Sequence, residues 1–141
     1  LDGLVAWERR PLDVAVMNEA AQCLLGEQDF SAFRAAHCQA STPMRCVSAC
    51  SVESRQQRVV IDVTANAFLY HMVRNIAGSL LAVGLGAQSV DDFRSVLMGR
   101  DRSAAGDTAP AEGLYLVQVG YADAFALPIT PEGPSLLEGY L

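Results

Sequence analysis

Apolar residues recur at helical spacing near the start of the chain, at Leu12, Val16, Ala20 and Leu24. This period places them on one side of a helix, and Gly26 is a residue at which such a helix ends. Residues 27–43 follow no regular period. Their last part, a Ser-Thr-Pro stretch at 41–43, predicts a turn or the start of a strand.

Two later segments alternate between apolar and polar positions, which is the pattern of strands with one buried face. They cover residues 44–53 and 57–65, and the polar stretch 54–56 between them predicts an antiparallel hairpin. In the first of these strands, the alternation predicts a shared face for Cys46, Ser48, Cys50 and Val52.

Two more helices are predicted after the hairpin. Asn66 is expected to cap a long helix over 67–83, because its side chain can accept a hydrogen bond from a free helical N–H. Ser89 precedes a second helix over 90–98, which carries two acidic residues in its first turn.

The last third of the sequence predicts a loop, a strand and a tail. Residues 99–112 are small and polar, an alternating strand is expected from Leu114, and an extended proline-rich tail covers about 128–141. The order of elements predicts one α+β domain over residues 1–141, with an antiparallel sheet and helices packed on one face.

The polar half of the long helix is unusual in composition. It holds Tyr70, His71, Arg74, Asn75, Gly78 and Ser79. Arg74 either pairs with an acid elsewhere, such as Asp62, or offers its planar fork to a phosphate or a catalytic carboxylate. Tyr70 and His71 either cap the core, or stack on a nucleic-acid base and hydrogen-bond to it.

Composition narrows the class of protein. With 51% hydrophobic and 18% charged residues, intrinsic disorder is excluded. The net charge of −6 excludes a uniformly basic nucleic-acid coat, yet residues 30–90 carry five arginines against two acidic residues. This is either chance scatter beside solvated acidic helices, or a cationic region for an anion in which Arg34 and Arg45 are candidate phosphate contacts.

Cysteine and histidine usage argues against a metal site. The four cysteines form no Cys-x-x-Cys pair and only two histidines are present, so we expect reduced, largely buried thiols in a cytoplasmic protein. Residues 68–86 have the length of a membrane span, but they include His71, Arg74 and Asn75, so a helix in a soluble protein is predicted instead. No secretory signal is apparent at the start.

Three segments resemble one enzyme family. NAFLYHMVRNIAGSL at 66–80 resembles the signature helix of the TruA-type tRNA pseudouridine synthases, and AEGLYL at 111–116 resembles a strand of the same family. The segments PLD at 11–13 and AAQCLLGEQDF at 20–30 are similar to the entry helix of the same family. The matches keep the family's order along the chain.

The resemblance implies a reaction and a set of residues. Such enzymes isomerise uridine in the anticodon stem-loop of tRNA, at positions 38 to 40, by detaching uracil from C1′, rotating it and rejoining it through C5. They act as homodimers with one essential aspartate and without metal or cofactor. By resemblance, Arg74 pairs with that aspartate, Leu114 lines the uracil pocket, and Tyr70, His71, Asn75, Arg34 and Arg45 are candidate RNA contacts.

One part of the family pattern is missing. The catalytic aspartate belongs to a Gly-Arg-Thr-Asp-Ala-Gly motif that this sequence lacks, and Asp101 in Gly-Arg-Asp is expected to be a solvated loop acid. The chain therefore resembles the C-terminal half of a synthase and is predicted to be inactive alone. A non-catalytic RNA-binding module and a protein-interaction domain remain as alternatives.

Overall fold

The computed structural model describes Glu8 and residues 10–114. In this part of the chain the elements are α1 (Val14–Ala21), β1 (Gly26–Asp29), β2 (Met44–Arg55), β3 (Arg58–Ala65), α2 (Met72–Gly84) and α3 (Val90–Gly99). Short 3₁₀ turns lie at Gln22–Leu24, Ser31–Phe33 and Arg102–Ala104. The predicted strand beyond Leu114 and the predicted tail lie outside the described residues.

The three strands form an antiparallel sheet in the order β1-β2-β3. The predicted hairpin is confirmed, but its turn lies later than the predicted stretch 54–56: it is the pair Gln56–Gln57, between the partners Arg55 and Arg58. Both glutamines have positive φ, 49° and 67°. A two-residue loop with this geometry matches the right-handed twist of the strands it joins.

One irregularity changes which residues of β2 face the core. The register shifts between Val47 and Ala49, and Val47, Cys50 and Val52 are the buried positions. The predicted shared face is therefore confirmed for Cys50 and Val52 and wrong for Cys46 and Ser48, because Val47 and not Cys46 is the buried residue before the shift, and Ser48 is exposed. The physical reason is the extra residue of a bulge, since it reverses the side-chain alternation at the point of insertion.

Strand β1 is absent from the sequence prediction. Its four residues, Gly-Glu-Gln-Asp, have no apolar alternation and are exposed or half-buried, so pairing with β2 rather than burial defines the strand. Gly26 opens it with φ of +96°, a conformation that a residue without a Cβ adopts at little cost. The predicted stop of the first helix at Gly26 agrees with α1 and its 3₁₀ extension to Leu24.

The helices and the buried side of the sheet share one core. Its largest fully buried side chains are Phe30, Phe33, Phe93, Met17, Leu24, Met72, Ile76 and Leu80. Phe33 stacks on Phe93 of α3, with ring centroids 5.8 Å apart. The predicted α+β class with an antiparallel sheet is confirmed.

Helix α2 starts later than the sequence predicts. It begins at Met72, and Asn66 does not cap it. Asn66 instead accepts a hydrogen bond from the Cys46 N–H at 2.9 Å and donates its own N–H to the Cys46 carbonyl at 3.0 Å. The side chain expected at a helix end therefore closes the end of the β2–β3 ladder. No helix in the described part of the chain is long and apolar enough to cross a membrane.

Candidate functional site

The residue before helix α2 has an unusual backbone. His71 is at φ 59° and ψ 11°, in the left-handed region, and its side chain makes no capping hydrogen bond. Tyr70 stacks on the imidazole with ring centroids 3.9 Å apart, and the tyrosine is 55% exposed. A bulky residue held in this region stores strain, and such positions concentrate at functional sites.

Contacts from a distant loop fix the backbone of Tyr70. The Ala35 N–H donates to the Tyr70 carbonyl at 3.2 Å, and the Tyr70 N–H donates to the Cys38 sulfur at 3.5 Å. That hydrogen bond, with help from the Ala40 N–H and the Arg34 guanidinium, lowers the pKa of the Cys38 thiol. The start of α2 is thus held by residues more than 30 positions away.

Arg74 is held on one edge of its guanidinium. Its Nε donates to the Ala109 carbonyl at 2.9 Å, and the Ala109 N–H donates to the Arg74 carbonyl at 3.0 Å. Its Nη1 lies 3.3 Å from His71 Nε2, which accepts only when that nitrogen carries no proton. Nη2 has no acceptor within the described residues.

No carboxylate neutralises Arg74 in the part of the chain that the structure describes. The ion pairs there join Arg10 to Glu8, Arg94 to Asp91 and Arg100 to Asp29. The predicted alternative, a pair between Arg74 and Asp62, does not form. Because Nε is occupied, an incoming carboxylate or phosphate would meet the Nη1–Nη2 end of the fork.

Asn75 is buried, which contradicts its prediction as an RNA contact. It is 1% exposed, and its amide donates to the Phe33 carbonyl at 2.8 Å. Its Oδ1 accepts from Arg102 Nη2 at 3.1 Å and from the Thr108 hydroxyl at 2.6 Å. A side chain with both polar atoms engaged inside the protein has a structural role.

A loop covers the half of α2 that the sequence pattern marks as polar. Ser79 is 1% exposed and accepts a hydrogen bond from the Gly106 N–H at 2.9 Å. A Cβ added at Gly78 would lie 1.6 Å from the Asp107 carbonyl oxygen, so only glycine permits this approach. The small residues at these positions are therefore a docking surface for the loop.

Arg34 and Arg45 lie against loop backbone on either side of the Ser-Thr-Pro stretch. Arg34 donates through Nη2 to the carbonyls of Cys38 and Ala40. Arg45 donates through Nη1 to the carbonyls of Thr42 and Met44, at 3.0 and 2.7 Å. Carbonyl partners order a guanidinium without neutralising its charge, so both side chains keep the positive charge that a phosphate contact requires.

The remaining predicted positions lie in loops. Asp101 accepts from the Ser103 hydroxyl and N–H at 2.7 and 2.9 Å, which lowers the pKa of its carboxyl, and it is exposed as expected. Leu114 ends a turn in which its N–H donates to the Ala111 carbonyl at 3.1 Å, and it is 49% exposed. Its role in a uracil pocket stays a prediction. Among the described residues, no cluster of His, Cys, Asp and Glu could hold a metal ion.

A family model described as tRNA pseudouridine synthase matches residues 20–122, which includes β1 to α3 and the loop that covers α2. The chain belongs to this family. The resemblance inferred from the helix and strand motifs is thereby confirmed.

Relatives of this synthase-family chain agree with the family match. It is 54% identical over 127 residues to tRNA pseudouridine synthase A of Psychromonas ingrahamii, covering 90% of this chain and 49% of the relative. It is 50% identical over 137 residues to the protein of that name from Legionella pneumophila strain Corby, covering 97% and 52%. The chain thus spans about half the length of the curated relatives it matches.

Sequence reasoning missed one residue of the hydrogen-bonded cluster on α2. Arg102 is half-buried and donates three hydrogen bonds, to Gly106, Asn75 and Thr108. In the sequence it lies in a polar loop next to Asp101 and resembles any solvated arginine. The sequence did contain a sign that a loop covers α2. Asn75, Gly78 and Ser79 are polar or small residues on one side of the helix, and such residues allow a loop to approach closely and to form hydrogen bonds with it.

Proposed function

We propose that this chain is the C-terminal portion of a cytoplasmic tRNA pseudouridine synthase that isomerises uridine in the anticodon stem-loop, at positions 38 to 40. Family membership supports the reaction class. The observation that carries the assignment of the site is Arg74, a half-buried guanidinium fixed at Nε and without a carboxylate partner in the described residues.

In this proposal Arg74 meets the catalytic aspartate supplied by a preceding N-terminal half. The Nη1–Nη2 end of its fork would hold the carboxylate in two parallel hydrogen bonds, and the positive charge would keep that carboxylate ionised. The aspartate is then oriented while the bond from C1′ to N1 breaks, the base turns, and a bond from C1′ to C5 forms; C5 loses its proton and N1 gains one, so the product is an isomer of uridine. No metal or cofactor is required.

The RNA contacts proposed for this chain are the surface groups around the start of α2. Tyr70 and His71 offer stacked aromatic faces, of which Tyr70 is the more accessible, and bases stack on such faces. Arg34 and Arg45 are proposed to contact phosphates. In the complete synthase a homodimer is proposed, and Leu114 is proposed to line the uracil pocket.

The test is to supply the missing half. This chain would be fused behind the N-terminal half of the Psychromonas ingrahamii relative and incubated with a stem-loop RNA that carries tritium at C5 of uridine. Pseudouridine formation releases this label to water, so we expect release by the fusion and none by the chain alone. Release by the chain alone would contradict the half-enzyme proposal, as would a folded fusion that binds the RNA and releases nothing.

The alternatives predict different behaviour of the isolated chain. Phosphate contacts make the RNA affinity fall steeply with salt. The logarithm of the binding constant falls with the logarithm of the salt concentration, with a slope of about −0.7 to −0.9 per phosphate contacted. A chain that binds RNA in this way, in a fusion without turnover, would be a binding module. Weak salt dependence of any binding by the chain would favour a protein-interaction domain.

A further inference from the structure

A polar network without any carboxylate joins the loop after α3 to helix α2. Arg102 donates through Nη1 to the Gly106 carbonyl at 3.0 Å, and through Nη2 to Asn75 Oδ1 at 3.1 Å and the Thr108 hydroxyl at 3.0 Å. The Thr108 hydroxyl donates to the same Asn75 oxygen at 2.6 Å. One guanidinium therefore spans two positions of the loop and one position of the helix.

This network ends one residue away from the group that holds Arg74. Ala109 follows Thr108 directly and is 9% exposed. Its carbonyl accepts from Arg74 Nε, and its N–H donates to the Arg74 carbonyl. The position of the Ala109 carbonyl thus depends on the position of Thr108, which Arg102 and Asn75 fix.

Two further contacts determine how closely the loop approaches the helix. The Gly106 N–H donates to Ser79 Oγ, and Gly78 leaves room for the Asp107 carbonyl. Both contacts join the loop to the helix. Arg102 also makes a contact within the loop, because it bonds to both Gly106 and Thr108 and so fixes the conformation of the loop between them. Of the side chains described in this loop, Arg102 and Thr108 make the connections that fix the segment leading to the Ala109 carbonyl, and Arg102 makes three of them.

We propose that Arg102 is a positioning residue for Arg74. It holds the segment 106–109 so that the Ala109 carbonyl engages Arg74 Nε and leaves only the Nη1–Nη2 end of that guanidinium for an anion. The positional part stands on the contacts described here, and its catalytic consequence rests on the proposed function.

The positional part can be measured in the chain itself. The Nε–H of Arg74 gives a nitrogen-15 NMR resonance, which Arg74→Lys identifies by its disappearance. We expect exchange of this proton with water to become about tenfold faster in Arg102→Gln, because the acceptor at Ala109 is no longer fixed. Arg94→Gln is the matched control, since this exposed arginine pairs with Asp91 on its own helix. Unchanged exchange in a folded Arg102→Gln variant would overturn the proposal.

A second variant covers the case in which Arg102→Gln does not fold. Thr108→Val keeps the side-chain shape and removes only the hydroxyl that bridges Arg102 and Asn75. It should speed the same exchange by a smaller factor, about threefold. Arg102→Lys, which keeps the charge but not the fork, should give a value between those of the wild-type chain and Arg102→Gln. Exchange at the wild-type rate in both variants would also overturn the proposal.

The catalytic consequence is measured in the fusion with the N-terminal half. Arg102→Gln should lower kcat about tenfold and leave KM for the stem-loop within about twofold, because Arg102 orients Arg74 and does not touch RNA. Faster Nε–H exchange with an unchanged kcat would keep the positional link and overturn its catalytic consequence, while the role of Arg74 itself is tested by the rate of Arg74→Lys. Unchanged exchange together with a slow Arg74→Lys enzyme would overturn the role of Arg102 alone.

Discussion

Helices α2 and α3 begin in opposite ways. At α3, Ser89 accepts from the Asp92 N–H and Asp92 accepts from the Ser89 N–H, each at 3.0 Å, so residues three positions apart complete a capping box. At α2, the preceding residue His71 is in the left-handed region and offers no side-chain cap. The start of α3 is determined locally, and the start of α2 is determined by the rest of the fold.

The difference identifies where the molecule departs from local rules. The residues that lead into α2 are fixed by Ala35 and Cys38, and the first turn of the helix is fixed by Ala109. A helix start without a side-chain cap loses a stabilising hydrogen bond, which contacts elsewhere in the fold must replace. Such departures from local rules are expected at functional or strained sites. The comparison therefore predicts that changes at α2 affect activity, whereas changes at α3 affect stability alone.

The largest expected effect is that of Arg74→Lys in the fusion. The single-turnover rate should fall about a hundredfold, equivalent to about 3 kcal/mol, because an ammonium cannot hold a carboxylate in two parallel hydrogen bonds. The matched change on α3, Arg94→Lys, should leave the rate unchanged. A lowered melting temperature with a normal rate would instead show that Arg74 is a structural residue.

Next in size is the effect of Gly78→Ala on the free energy of unfolding. The added methyl group would overlap the backbone carbonyl of Asp107, so the loop must move, at a cost of about 2 kcal/mol. Gly99→Ala is the control at the end of α3, where a Cβ meets no atom within 4 Å. Its free energy of unfolding should stay the same or rise slightly. Urea denaturation that shows equal effects for the two variants would contradict the close approach.

Local patterns predict the fold better than they predict the site. The hairpin follows from alternation, helix α3 from its Ser-Val-Asp-Asp start, and the motif around Arg74 from a family resemblance. The bulge at Ser48 and the strand Gly26–Asp29 do not, because pairing between distant segments defines them.

The site shows the same limit more sharply. A helical projection assigns Asn75 and Ser79 to the polar side correctly, but it cannot show that a loop some 30 residues later covers them. Arg102 carries no sequence signal of its own, since its role depends on which helix its loop contacts. Asn66 is a residue type that caps helices, and the sequence does not show that its side chain instead accepts a hydrogen bond from Cys46 at the end of the β2–β3 ladder.

A smaller effect is expected from Ser89→Ala. Loss of the capping hydrogen bond should lower the free energy of unfolding by about 1 kcal/mol, and the rate of the fusion should not change. Thermal unfolding and single-turnover kinetics of the same protein provide both values. A slower rate in a folded Ser89→Ala protein would mean that the start of α3 also contributes to the site, and the contrast between the helices would fail.

The smallest net effect is expected from His71→Gly, because two contributions oppose each other. Glycine removes the strain of a left-handed backbone, worth about 1 kcal/mol. It also removes the ring that stacks on Tyr70 and lies 3.3 Å from Arg74 Nη1, and these contacts together are worth a similar amount. The free energy of unfolding should therefore change by less than about 0.5 kcal/mol.

His71→Ala is the matched variant, since it removes the same ring and keeps a Cβ at φ 59°. It should be less stable than His71→Gly by about 1 kcal/mol, the cost of the backbone conformation alone. If urea denaturation gives the two variants the same stability, the backbone before α2 stores no strain, and the contrast with α3 would reduce to the missing cap.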